Sequence, residues 1–86
     1  MTLRLRTVDL EWQEIDSEIV ILDGREATYL TLNGSGAILW RKLAGSATRA
    51  ELVDALLDAY EVDLSTAAAD TDVFLTALTE QGLLAS

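Results

Sequence analysis

The chain has 86 residues, 50% of them hydrophobic and 24% charged, with a formal net charge of −9 and neither histidine nor cysteine. That length allows a single domain over residues 1–86 with a small core, and the composition is that of a folded chain rather than a disordered one. The usual zinc ligands, the thiol nucleophile and the commonest general base are all missing, so no catalytic residue, metal or cofactor is expected and an enzyme is disfavoured.

Residues 8–32 read as β. Val8, Leu10 and Trp12 alternate with Asp9 and Glu11, the period of a half-buried strand. The preceding Leu-Arg-Leu-Arg arm reads as an extension of that strand, with a bulge near Thr7 where the phase slips. A β-branched run, residues 18–23, follows and is closed by Asp23-Gly24, a hairpin-turn signal. Residues 27–32 alternate Leu30 and Leu32 with Tyr29 and Thr31, completing a three-stranded antiparallel meander.

After Leu32 the period becomes helical. Asn33-Gly34-Ser35-Gly36 joins a strand to a helix, as phosphate cradles do, but the third glycine of a dinucleotide fingerprint is replaced by Leu39 and no Gly-Lys-Ser/Thr follows. The turn is therefore read as a corner, with Asn33 and Gly34 tolerating positive φ. Ser35 caps a first helix to about Leu43, which Ala44-Gly45-Ser46 stops. Thr48 and Glu51 form a capping box that opens a second helix through Tyr60, with Leu52, Val53, Leu56, Ala59 and Tyr60 on one face. Asp63 or Ser65 caps a third helix to about Gln81, ended by Gly82. Leu64, Ala67, Ala68, Thr71, Phe74, Leu75 and Leu78 fill its main arc.

The third helix carries a second strip, Ala69, Val73 and Ala77, flanked by Asp70 and Glu80. A shallow apolar strip rimmed with carboxylates suits a peptide that carries apolar anchors and basic residues.

The elements amount to an α+β fold: a three-stranded antiparallel sheet followed by three helices, the inventory of a winged helix-turn-helix with its strands first. Such folds often bind DNA, and the charge argues against it here. All six basic residues lie in the first 49 positions, and residues 50–86 hold eight acids with no Lys or Arg. That half repels phosphate and attracts a basic partner. No apolar run approaches the roughly 18 to 20 residues that span a bilayer, and the N-terminus lacks a secretory apolar stretch. Neither nucleic acid nor membrane is an expected partner, and the cytoplasm is the expected compartment.

The order "LDGREATYLTLNGSGAILWRKLAG" and "TRAELVDALLDAYEVDLSTAAADTDVFLTALTEQGLL" resembles the PqqD-like family over residues 22–84. The family's pattern is a turn, a Tyr-x-x-Leu-Asn strand end, a small-residue helix start with Ile-Leu-Trp, a capped helix, Tyr-x-Val-Asp, an Ala-Asp pair and Gly-Leu-Leu. The family's frequent Ala-Asp-Val stands here as Ala69-Asp70-Thr71. The resemblance implies a recognition element that captures the leader segment of a ribosomally made precursor peptide. It points first to the stand-alone leader-binding subunits of lasso-peptide biosynthesis. There the partners would be the leader, often of Tyr-x-x-Pro type, a transglutaminase-like cysteine leader peptidase and an ATP-dependent macrolactam synthetase. The alternative is a pyrroloquinoline quinone chaperone that delivers its precursor to a radical enzyme. Carried over by position, the family's mode of binding implicates Ala27, Thr28, Tyr29, Leu30, Thr31 and Leu32 for main-chain pairing. It implicates Asp70, Val73, Phe74, Ala77 and Leu78 on the third helix.

Overall fold

The chain runs β1 (Thr2–Leu3), β2 (Leu10–Ile15), β3 (Glu18–Asp23), β4 (Thr28–Leu32), α1 (Gly34–Ala44), β5 (Ala47–Thr48), α2 (Arg49–Ala59) and α3 (Leu64–Glu80) in the computed structural model, which describes residues 1–85. The α+β class and the antiparallel meander β2-β3-β4 agree with the sequence pattern. The strands are nonetheless split between two sheets, and not all of them precede the helices. The arm does not extend the first strand of the meander. It pairs as β1 with β5, between α1 and α2, and continues along the C-terminal tail through an antiparallel bridge from Leu5 to Leu84. The amide of Arg6 donates to Leu83 O and that of Ala85 to Arg4 O, both at 2.8 Å.

Arg6 explains why the arm is held there. It is buried, and its guanidinium donates to Asp23 Oδ1 and to the carbonyls of Val8, Asp9 and Gly82. One side chain thus joins the arm, the end of β3 and the turn after α3. Asp23 is buried too, and its Oδ1 also accepts the amides of Arg25 and Glu26. The Arg6 hydrogen bond, then those two amides, hold the Asp23 carboxyl below its ordinary range.

The first strand of the meander begins at Leu10, not Val8, because Asp9 takes a left-handed φ of 55° that breaks the alternation there. Val8 is 63% exposed in consequence. Asp16 and Ser17, both at positive φ, make a two-residue turn between β2 and β3. The expected Asp23-Gly24 turn works differently. Asp23 anchors a four-residue loop through its side chain, and the left-handed residue is Ala27, at φ 56°, while Gly24 is not left-handed. Ala27 therefore precedes β4 instead of belonging to it.

Helix ends follow local chemistry closely. Thr48 Oγ1 accepts the Glu51 amide at 3.1 Å while Glu51 Oε1 accepts the Thr48 amide at 2.8 Å, the reciprocal capping box. Asp63, not Ser65, caps α3 through the Thr66 amide, and Gly82 at φ 70° turns the chain out of it. At α1 the cap position is Asn33, not Ser35, and its side chain makes no capping bond; Gly34 carries the positive φ.

The core joins Ile19 and Ile21 of β3 to Ala37, Leu39, Trp40 and Leu43 of α1, Leu52, Val53 and Leu56 of α2, and Ala67 and Leu78 of α3. Trp40 is fully buried with the Trp12 ring edge-on to it, centroids 6.1 Å apart. Thr71 is buried without penalty because its hydroxyl donates back to Ala67 O at 2.8 Å. Leu64, expected in the core arc, is 65% exposed at the first turn of α3.

Candidate functional site

The register fixes which backbone groups face outward. The two-residue turn makes Ile15 and Glu18 a hydrogen-bonded pair, and the bond from the Gly24 amide to Asp9 O keeps the same phase at the far end. Glu18, Val20 and Leu22 therefore bond to β2, and Ile19, Ile21 and Asp23 bond to β4. On β4 their partners are Leu32, Leu30 and Thr28. The main-chain N–H and C=O groups of Tyr29 and Thr31 point away from the sheet.

The meander has two edges, and they differ. β2 carries Glu11 and Glu14, and Glu14 lies on the core-facing side, opposite Ile19. Arg41 of α1 grips the Glu14 carboxylate with two bonds of 2.8 Å, which hold that carboxyl below its ordinary range. A charge turned inward on a clamped edge strand discourages added strands. β4, with sequence TYLTL, has no charge, no proline and β3 as its one strand neighbour among the described residues. It is the uncharged edge of the meander.

Beside that edge lies a trough. α3 packs mainly on α2, and two adjoining cavities open along its free side. The first, of about 320 Å³, is lined by Ser35, Gly36, Leu39, Asp70, Val73 and Phe74. The second, of about 340 Å³, is lined by Ser35, Leu56, Tyr60, Val62 and Asp70. Ser35 and Asp70 stand at their junction. Gly36 connects the trough to β4: a Cβ there would meet Leu32 Cδ2 at 3.5 Å and Phe74 Cε1 at 3.9 Å. The two nearby acids of α3 have different employment. Asp72 is engaged by Arg49 at 2.7 and 2.8 Å, which lowers its pKa, whereas Asp70 makes no ion pair among the described residues.

The residues named from sequence divide accordingly. Tyr29 and Thr31 present free backbone groups at the edge. Thr28, Leu30 and Leu32 spend theirs on β3, and Ala27 lies in the preceding loop. Asp70, Val73 and Phe74 line the trough. Ala77 is exposed but lines neither cavity, and Leu78 is buried in the core. Sequence reasoning missed Ser35, Gly36, Leu39, Leu56, Tyr60 and Val62. The signal for some was present: Tyr60 and Val62 are large apolar residues at a helix end, and Gly36 is a small residue facing Leu32. Among the described residues no group of acids forms a metal site, and no helix is long and apolar enough to cross a membrane.

A family model described as coenzyme PQQ synthesis protein D matches residues 18–84. The chain belongs to the PqqD family. The match takes in β3, the edge strand β4 and all three helices. Among solved structures, this PqqD-family chain is similar to TbiB1 in complex with the TbiA(beta) leader peptide, at 31% identity and TM-score 0.89 over 96% of this chain and 95% of that one. It is also similar to a lasso peptide synthetase B1 complexed with the leader peptide, at 30% identity and TM-score 0.84 over 98% of each chain. No curated protein sequence matches it.

Proposed function

We propose that this chain captures the leader segment of a ribosomally synthesised precursor peptide and presents it for processing in lasso-peptide biosynthesis. The observation that carries the proposal is the uncharged, unpaired edge of β4 beside a trough with two cavities. An extended guest adds to that edge as a further strand and exchanges main-chain bonds with Tyr29 and Thr31. Its alternate side chains then fall inward. Apolar side chains at alternate guest positions, the tyrosine of a Tyr-x-x-Pro leader among them, are suited to the two cavities, and Asp70 at their junction favours a basic residue nearby. The two similar structures, each a complex with a leader peptide, support this reading.

The chain itself supplies no catalytic group on this reading. The chemistry belongs to a transglutaminase-like cysteine leader peptidase and an ATP-dependent macrolactam synthetase, all in the cytoplasm. The winged-helix-like order of strands and helices serves peptide and not DNA, since α2 and α3 offer Asp54, Asp58, Asp70 and Glu80 where a recognition helix needs cations or amides. The name of the matching family model favours a second reading, a chaperone of pyrroloquinoline quinone biosynthesis. The proline-bearing segment usual in those chaperones before Leu-Asn is absent, since the chain has no proline.

Fluorescence polarisation with a labelled leader peptide tests the proposal. Saturable binding is expected, weakening as salt rises because opposite charges contribute. Val73→Asp, which sets a carboxylate in the first cavity, is expected to weaken binding about tenfold, roughly 1.4 kcal/mol. Ala77→Asp, outside both cavities, is expected to leave affinity within about twofold, a change worth under 0.5 kcal/mol. Gly36→Leu fills the first cavity from a backbone outside the left-handed region, and a loss of tenfold or more is expected. Unchanged affinity in both Val73→Asp and Gly36→Leu would remove the trough from the site.

A further inference from the structure

The free edge of β4 is complementary to itself. Its residues, Thr28–Leu32, carry no charge, and Leu30 stands at their centre. The main-chain groups left open, those of Tyr29 and Thr31, lie symmetrically on either side of it. In an antiparallel pair of identical strands, a two-fold axis through Leu30 sets Tyr29 of each copy against Thr31 of the other. Both become hydrogen-bonded pairs, with the two Leu30 residues as the non-hydrogen-bonded pair between them. Every group that either copy leaves open is used.

Neighbouring registers do not achieve this. An axis between two residues sets an outward group against one already spent on β3. An axis through Tyr29 calls on Ala27, which is left-handed at φ 56°. An axis through Thr31 calls on Asn33, whose carbonyl accepts the Ala37 amide at the start of α1. The other edge of the meander carries Glu14 clamped by Arg41, which discourages a further strand, so pairing closes at two copies.

Charge points to the same register. Arg25, in the loop before β4, is exposed and makes no ion pair among the described residues, and neither does Asp70. Antiparallel pairing about Leu30 carries that loop past the end of the other copy's β4, where Ser35 and Asp70 stand. Each copy thus offers a free cation to a free carboxylate of the other. Symmetry repeats the contact, which opposes the repulsion between two chains of net charge −9.

We propose that without leader this chain pairs with a second copy of itself through β4, as a two-fold dimer that excludes the leader because both use Tyr29 and Thr31. The self-pairing stands on the geometry alone; the competition rests on the leader-capture reading. An uncharged edge is a hazard in a free chain, since any extended segment can add to it. Self-pairing covers it reversibly, because one short strand per copy makes an interface of the small, transient class, below about 1,200 Å². Leader affinity therefore falls as the chain becomes more concentrated.

Sedimentation velocity on the full chain tests this, at about 5 µM to 1 mM, where interfaces of this size associate. Without leader, the chain is expected to pass from monomer to dimer across that range. Thr31→Pro, folded by circular dichroism, is expected to stay a monomer. Arg25→Glu is expected to weaken the dimer about tenfold or more, while leader affinity, read by fluorescence polarisation on dilute chain, does not fall. Adding Asp70→Arg to Arg25→Glu is expected to restore the dimer to within about threefold of wild type. Saturating leader peptide is expected to convert the wild-type dimer into a one-to-one complex. A wild-type chain that stays monomeric throughout overturns the proposal. So does a dimer unchanged in Arg25→Glu and in folded Thr31→Pro, or one that binds leader and remains a dimer. A dimer that responds to these variants in a chain that never binds leader leaves the self-pairing intact and brings down the capture reading instead.

Discussion

Replacing Arg6 with Met is expected to lower the melting temperature by about 15 °C or more, the largest stability loss from any single polar side chain in the molecule. The magnitude follows from removing one partner of a buried ion pair in a domain where each kcal/mol is worth several degrees. Met fills the volume of the Arg stem but supplies no donor. Asp23 is left buried with two backbone amides as its remaining partners, and the carbonyls of Val8, Asp9 and Gly82 each lose a donor. Arg6→Lys keeps the charge but not the fork that reaches four acceptors, so most of the loss is expected to persist. A thermal melt followed by circular dichroism decides it. A Met variant within about 3 °C of wild type, which corresponds to well under 1 kcal/mol, would show that the guanidinium adds nothing beyond packing.

Asp23 gives the same contact a pH signature. Its folded pKa is depressed below the ordinary value of 3.8, chiefly by the Arg6 bond. A depressed carboxyl contributes stability that is complete above the unfolded value and is lost as pH falls through the folded one. The urea midpoint is therefore expected to drop as pH falls below about 4, and Asp23→Asn is expected to start lower and fall less steeply. Equal slopes for the two proteins would assign the acid sensitivity to the other depressed carboxyls, Glu14 and Asp72 in their arginine pairs and Glu51 and Asp63 at the helix caps.

How much of this was legible in the sequence depended on the range of each interaction. The capping box at Thr48 and Glu51 and the glycine stop at Gly82 are decided within one turn of backbone, and the pattern shows them. The meander was visible because alternation in residues 27–32 and the apolar run 18–23 each need one face of one sheet. Arg6 was not visible. In Leu-Arg-Leu-Arg it reads as the solvent side of a strand, and its partner Gly82 lies 76 residues away. The Asp23-Gly24 pair marks the hairpin turn that is found between β3 and β4 but not its form, because Asp23 is bound from outside the hairpin and the left-handed residue is Ala27. The candidate site divides the same way. Phe74, Val73 and Asp70 lie at helical spacing on one element and can be read together. Ser35, Leu56 and Tyr60 come from the start of α1 and the end of α2, and nothing in their local pattern announces that α3 leaves a gap between them.

Thr31→Pro is expected to weaken leader capture by about ten- to a hundredfold with little loss of fold, while Leu30→Pro is expected to unfold the sheet. The two substitutions differ by one residue and by which side of the strand they disarm. Thr31 directs its N–H to the open edge, so proline there removes a bond that the free domain does not make, and its ring blocks the approach of the guest. Edge strands tolerate proline where the N–H faces outward. Leu30 directs its N–H to Ile21, so proline there opens the β3–β4 ladder against the core. The loss at Thr31 corresponds to one unmade and unreplaced main-chain bond, about 1–3 kcal/mol. Polarisation titration gives the affinity, and circular dichroism with urea gives the fold. If the proline at 31 binds leader as the parent does, strand addition at β4 is excluded whatever the trough holds. Should it instead unfold while the proline at 30 survives, the hydrogen-bond phase deduced from the Asp16-Ser17 turn is inverted. The guest would then pair through Thr28, Leu30 and Leu32, and the guest residues that make main-chain bonds would be the ones that project toward the trough.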